Sequence, residues 1–182
     1  MTDRRQEIIN AALVVLRERG LSGFTQPRVA AEAGVRQSHL TYYFPTRVDL
    51  LACVAHEAID RQLKAVDAIV DASSPEAAAK VIAKVAVRHE NTRVIMALAQ
   101  AADQEPSLRK LFRELAEGII LRVGNLLQNL NITPTDERCY LLHALSVGLA
   151  VIDLATARKG GERRAECTLG TALTLLTRGT EK

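Results

Sequence analysis

Five side chains in one short stretch, Arg36, Gln37, Ser38, His39 and Tyr42, carry hydrogen-bonding groups suited to base edges. Arginine can pair with guanine and glutamine with adenine in a major groove. Around them stand Thr25, Gln26, Arg28, Thr41, Tyr43 and Arg47, whose hydroxyl, amide and guanidinium groups suit phosphate oxygens. Phosphate contacts fix register and base contacts specify sequence. The two sets together have the composition of a surface that reads double-stranded DNA.

Such a surface needs a helix to carry it. The stretch from Thr25 to Leu51 reads as two short helices joined by a tight turn, an aromatic cluster and a new helix start. The Thr25 hydroxyl can accept a bond from a first-turn N–H, and Pro27 sits where its missing N–H costs least. Val29, Ala30 and Ala33 give the first helix a small apolar face that lets a second helix cross closely. Gly34 falls where a helix ends in a left-handed residue, and Val35 can plug the gap between the helices. Gln37 to Tyr43 is then the candidate recognition helix, with Leu40 inward. A helix-turn-helix puts its second helix in the major groove. Phe24 and Phe44 read as core.

Taken in order, Ile8-Ile9, Ala11-Ala12, Gly20, Thr25, Val29-Ala30, Ala33-Gly34-Val35, Leu40, Tyr43-Phe44, Arg47 and Leu50-Leu51 form a string that resembles the N-terminal domain of tetracycline-repressor-type (TetR) regulators. The match covers about the first fifty residues. Three positions depart from that pattern. Arg36 stands where the family has Ser or Thr, Thr41 where it has Tyr, and Arg47 where it has Lys. Arg36 loses a cap but adds a cation beside the groove. At Thr41 the phosphate contact of the family's Tyr does not carry over, and a shorter hydroxyl stands in its place. Arg47 keeps the charge and adds a bidentate option.

Charge alone would not have pointed to DNA, since the net charge is only +3. Residues 1–50 carry seven arginines against five acids, a modest basic excess of the kind that neutralises phosphate. Cys53, Cys139 and Cys167 are widely spaced, lie in apolar helical contexts and lack metal-ligand spacing. They read as buried free thiols of a reducing compartment. The four histidines, His39, His56, His89 and His143, are not clustered, so no metal and no cofactor is implied. The N-terminus is polar and lacks the apolar core of a signal peptide, which predicts a soluble cytoplasmic chain.

The remainder reads as helical throughout, with few prolines and no alternating β-branched stretch. Asp3 to Gly20 is a first helix. Thr46-x-x-Asp49 resembles a capping box opening a long helix to about Asp71. Further helices are expected from Ser74 to about Glu90, Thr92 to Ala102, Ser107 to Leu130, then, after a break over Asn131 to Thr135, on to near Lys159, and Glu162 to about Leu176. The expected class is all-α: a three-helix domain with helix-turn-helix over 1–46, then a helical bundle for ligand binding and dimerisation over 47–182.

The stretch Cys139 to Ala157 is apolar nearly all round and approaches the ~20 residues of a membrane span. His143 and Asp153 interrupt it, and it lacks the flanks of a membrane helix. In a soluble protein it must be covered on every face. One side can pack on its own domain and the other on a partner. Leu145, Gly148, Leu149 and Ile152, with Leu169, Leu173 and Leu176 of the last helix, are the candidate half of a four-helix homodimer interface. The alternative is that both helices are internal core. A twofold dimer would set two recognition helices about 34–36 Å apart, or a multiple, on a palindromic operator.

The family resemblance also implies a small-molecule effector pocket among the middle helices. Val87, Arg93, Met96, Leu98, Gln100, Phe112, Leu115, Ile119, Tyr140 and His143 are the residues that could line it. The expected function is therefore a dimeric transcriptional regulator, a repressor released from its operator by an effector. An activator is an alternative, as is an interaction module or enzyme with a degenerate DNA-binding segment. No catalytic residue is assigned: the chain has no phosphate loop, nucleophile elbow or paired metal motif.

Overall fold

The computed structural model describes residues 3–178, all-α without a strand among them. The helices are α1 Arg4–Gly23, α2 Gln26–Glu32, α3 Gln37–Tyr43, α4 Arg47–Val70, α5 Pro75–Ala86, α6 His89–Ala101, α7 Pro106–Asn129, α8 Asp136–Thr156 and α9 Gly161–Arg178. They divide into two compact units. One holds the chain through Arg61 with Arg93–Arg113, and the other holds Gln62–Thr92 with the chain from Glu114 onward. Helices α4, α6 and α7 each contribute residues to both.

In the first unit, Asp3 caps α1 by accepting the Arg5 N–H at 3.0 Å. Ile8, Ala12, Val15 and Leu16 form its buried face. Gly20 interrupts the helix with φ +63° and a further turn follows to Gly23, so the expected stop is a break rather than an end. Thr25 occupies the cap position of α2, but its hydroxyl makes no capping bond there. Its carbonyl instead accepts the Val29 N–H at 3.0 Å. The end of α2 is as the sequence demands. Gly34 has φ +64°, its N–H bonds the Ala31 carbonyl at 3.2 Å, and the Val35 N–H bonds the Ala30 carbonyl at 2.9 Å. That pair of bonds is the Schellman closure, and it needs a left-handed residue. A Cβ on Gly34 would meet nothing, so backbone conformation and not space calls for glycine. At α4 the capping box is reciprocal: Asp49 Oδ2 accepts the Thr46 N–H at 3.0 Å, and Thr46 Oγ1 accepts the Asp49 N–H at 3.1 Å.

The second unit is built on α5, α8 and α9, with the end of α4 and of α7. Ala78, Ala79, Ile82 and Ala83 give α5 a small-residue face, and α9 packs on it with Gly170 beside Ala79, where an added Cβ would stand at an ordinary 3.8 Å from the Ala79 methyl. Leu169 and Leu173 are fully buried in this core with Leu126, Leu127 and Leu142. This corrects the expected interface: two of its α9 residues fill their own chain's interior. Leu145, Leu149 and Leu176 pack partly against the same core. Helix α8 buries only Cys139, Leu142 and Ala150, and leaves Tyr140, Leu141, Val147 and Ile152 exposed. It is the one described helix long and apolar enough to cross a membrane.

Two further expectations change. The chain leaves α5 at Ala86 rather than Glu90, and α6 starts at His89 rather than Thr92. The Arg88 N–H tightens onto the Val85 carbonyl at 3.4 Å, while the Arg88 carbonyl accepts the N–H of Asn91 and Thr92. No glycine or proline marks that turn. Of the three thiols only Cys139 is buried; Cys53 is half-buried and Cys167 exposed. The inward stripe of α9 is Ala165, Leu169 and Leu173, and a residue two positions along a helix lies about 200° round from its neighbour in the stripe. Burial, followed by the nearby Asp136 carboxylate, pushes the Cys139 thiol up, so it stays protonated.

Burial also lowers the imidazole pKa of His143 below its ordinary value of 6.5. The neutral ring is the form the fold accepts. Below pH 6.5 the unfolded chain takes up the proton first, so this group's contribution to stability falls as the pH drops toward its depressed value. His143→Gln should remove that slope. Denaturant midpoints at pH 7.5 and 5.5 (about one unit either side) should separate for the native chain more than for the variant; equal separations would place His143 in water.

Candidate nucleic-acid interface

Leu40 and Val29, each 0% exposed, lock α3 onto α2. With Leu40 turned inward, Gln37, Ser38 and His39 are exposed along α3, and Tyr42 stands 79% exposed. Arg36 is exposed at the position before the helix and makes no capping bond with its side chain. The five base-reading candidates therefore share one accessible surface. Tyr43 is half-buried behind them, with the His39 ring 5.4 Å away and Tyr42 edge-on at 5.3 Å. Thr41 spends its hydroxyl on the Ser38 carbonyl at 3.1 Å.

The phosphate candidates divide. Gln26 Nε2 donates to the Phe44 carbonyl at 2.8 Å. Arg28 Nη1 donates to the Gly23 carbonyl at 3.1 Å. Arg47 donates through Nε to the Phe24 carbonyl at 2.9 Å and through Nη2 to the Leu21 carbonyl at 3.3 Å, with its guanidinium 5.8 Å from the Phe24 ring centre. These three side chains satisfy the carbonyls exposed by the break at Gly20 and the end of α3. Their role inside the domain is to hold its turns. Arg5 is a further cation of this unit, with no role that its local sequence singles out. It stacks on Phe44 at 5.4 Å and donates to Cys53 Sγ at 3.1 Å. Only the fold brings α1 and α4 together, so nothing local in the sequence signals it.

The expected effector-pocket residues fall in both units. Arg93, Met96, Leu98, Gln100 and Phe112 belong to the first, and Val87, Leu115, Ile119, Tyr140 and His143 to the second. Leu98 is fully buried, Leu115 nearly so, and Met96 and Tyr140 are 46% and 58% exposed. Two open clefts exist within single units. One, about 700 Å³, is lined by Arg19, Ser22, Arg28 and Glu32 among others. The other, about 720 Å³, lies between α5 and α9 beside Glu76, Arg163, Glu166 and Cys167. Neither draws on the expected pocket residues.

Residues 8–54 match the family described as bacterial regulatory proteins, tetR family. No curated protein matches the chain. Among solved structures, a transcriptional regulator from Rhodococcus sp. Rha1 is similar at TM-score 0.85 and 22% identity, covering 96% of each chain. A member of the TetR family from Streptomyces coelicolor A3 is 29% identical at TM-score 0.74, over 93% of this chain and 98% of its own. The multidrug binding protein EbrR complexed with imidazole is 27% identical at TM-score 0.69, over 94% of this chain and 96% of its own. EbrR is also solved with proflavin and with ethidium.

The inward bonds of Arg47 make a prediction. Arg47→Ala should lower the stability of the chain by about 0.5–1.5 kcal/mol, since the Phe24 carbonyl loses its side-chain donor while the Leu21 carbonyl keeps the Phe24 N–H. Arg47→Lys should recover little, because a single ammonium cannot span both oxygens. Thermal and denaturant unfolding would measure it. Unchanged stability with weakened DNA binding would return Arg47 to the phosphates.

Proposed function

We propose that this chain, which belongs through its N-terminal domain to the tetR family of bacterial regulatory proteins, represses transcription as a homodimer and leaves its operator when a small molecule binds. The observation that carries the reading is the exposed surface of α3, where Arg36, Gln37, Ser38, His39 and Tyr42 face outward with Leu40 locked beneath them. Those side chains read bases. Backbone N–H groups and the less occupied polar side chains around them, Thr25 and Tyr43, hold phosphates, while the Thr41 hydroxyl is held by the Ser38 carbonyl. Gln26, Arg28 and Arg47 act chiefly by keeping the helices in place for those contacts.

The division of labour falls at the start of α4, with residues 1–46 binding DNA and 47–182 binding effector and partner. The exposed apolar face of α8 is the dimerisation surface, through Gly148, Ile152 and their neighbours. A second copy is the covering that a cytoplasmic regulator of a palindromic operator supplies. The effector is a small organic molecule, a proposal supported by the imidazole, proflavin and ethidium complexes of EbrR. It works by binding one of two states more tightly, since equal affinity for both would shift nothing.

Selection of bound duplexes from random DNA by the purified protein tests the core of the reading, and a palindromic winner is the expected result. Gln37→Ala with His39→Ala should then weaken that duplex by roughly 1–3 kcal/mol per lost base contact while the fold stays intact. Full affinity in that variant would remove α3 from the readout. For the dimer, Ile152→Glu should sediment as a folded monomer. Leu173→Glu, by contrast, should unfold the chain, because Leu173 is 0% exposed in its own core. A dimeric Ile152→Glu would move the interface elsewhere.

A further inference from the structure

Asp153 is the only Asp, Glu, Lys or Arg between Arg138 and Arg158, in a helix that is otherwise nearly all apolar. Its side chain is only 12% exposed, and both carboxylate oxygens are engaged. Oδ2 lies 2.8 Å from Nε2 of His89, the first residue of α6. Oδ1 accepts from Arg164 Nη2 on α9 at 3.2 Å. Arg164 also straps the turn between α8 and α9, donating to the Lys159 carbonyl at 2.6 Å and the Arg158 carbonyl at 3.1 Å. Gly161, the first residue of α9, has no side chain where the Asp153 carboxylate lies, and a Cβ there would overlap it. One carboxylate thus joins the starts of α6 and α9 to the end of α8.

A nearly buried ion is an expensive way to join three helices, since apolar side chains would do so without a desolvation cost. What it provides instead is a defined pairing that is either made or broken. The place of the pairing matters. Helix α6 begins in the second unit and continues in the first from Arg93, so the residue that Asp153 holds opens a helix that both units share. We propose that Asp153 is a positioning residue for DNA binding, a latch that fixes the first turn of α6, and that the closed latch is the DNA-competent arrangement. The latch rests on the DNA-binding reading given above. It acts only through α6 and touches neither DNA nor α3.

The probe is a duplex selected from random sequence by the native protein. His89→Ala and Asp153→Asn should each lower affinity for it on the order of tenfold, within the usual range of allosteric coupling. The double variant should lose no more than the worse single one, because both break the same link. His89→Gln, which keeps an N–H donor, should restore most of the binding. Gly161→Ala should mimic Asp153→Asn by pushing the carboxylate off His89. Affinities are compared per folded molecule, with unfolding curves run alongside. A role in stability alone would lower the melting temperature of these variants and leave that affinity within about twofold of native, and this result would overturn the latch while leaving DNA binding intact. If Asp153→Asn does not fold, the His89 pair decides, since that side chain is 37% exposed. A native protein that selects no duplex would overturn the DNA reading and the latch together.

Discussion

The carbonyl oxygens around the end of α1 are the constraint on which the DNA-binding unit depends. Gly20 breaks the helix at φ +63°, and the chain must then turn sharply into α2. The Leu21 carbonyl keeps the Phe24 N–H at 3.2 Å, but those of Gly23 and Phe24 face the turn at a place where Phe24 is buried. A buried carbonyl without a donor costs about 1–3 kcal/mol. Arg28 and Arg47 supply the donors from α2 and α4, and Gln26 does the same for the Phe44 carbonyl after α3. Each bond ties one helix to the end of another. The mutual placement of α2, α3 and α4, and hence the attitude of α3, follows from satisfying backbone oxygens as much as from apolar burial.

That constraint explains why the interface was only partly legible in the sequence. Local signals are unambiguous. Gly34 names a left-handed residue whatever surrounds it, and Thr46 with Asp49 forms its box within one turn. With Leu40 facing in, helical period puts Ser38, His39 and Tyr42 outside, whereas Gln37, three residues before Leu40, lies toward the same side and only the fold leaves it exposed. The cations were harder. An arginine next to a recognition helix looks the same in sequence whether it bonds a phosphate or a carbonyl twenty-odd residues away, as Arg47 does with Phe24. The Arg5–Cys53 contact spans 48 residues and leaves no local trace. Thr25 shows the reverse error: a residue with good capping chemistry whose carbonyl, not its hydroxyl, does the work.

In the second unit the same limit appears as a problem of faces. Periodicity shows that α9 has an apolar stripe but not what the stripe meets. Leu169 and Leu173 could cover a second chain or their own; the small residues of α5 decide it. Ala78, Ala79 and Ala83 keep that face of α5 short, and Leu169 and Leu173 are enclosed with it in one core. The inward demand of α9 is then met within one chain, and its exposed Leu175 is a separate matter. The break between α5 and α6 was missed for a related reason. It is closed by a short i→i−3 bond at Arg88 and by His89 reaching Asp153, neither of which needs glycine or proline.

Helix α8 brings these strands together. Its hydropathy alone fits a membrane span, a core helix or an interface equally well, and burial tells the core helix from the other two. A core helix would hide most of its apolar residues, yet Tyr140, Leu141, Val147 and Ile152 remain exposed while Cys139, Leu142 and Ala150 are buried. A membrane helix would make a carboxylate near its end costly and would give it no reason to face two basic side chains. Asp153 is instead held on both oxygens by its own unit, on the flank that also carries Leu142 and Ala150 round the helix. The helix therefore has one polar, tightly specified attachment to its own chain and an apolar face turned away from it. That asymmetry fixes the face: the attachment sets the helix's rotation, and the rotation decides which apolar residues are presented.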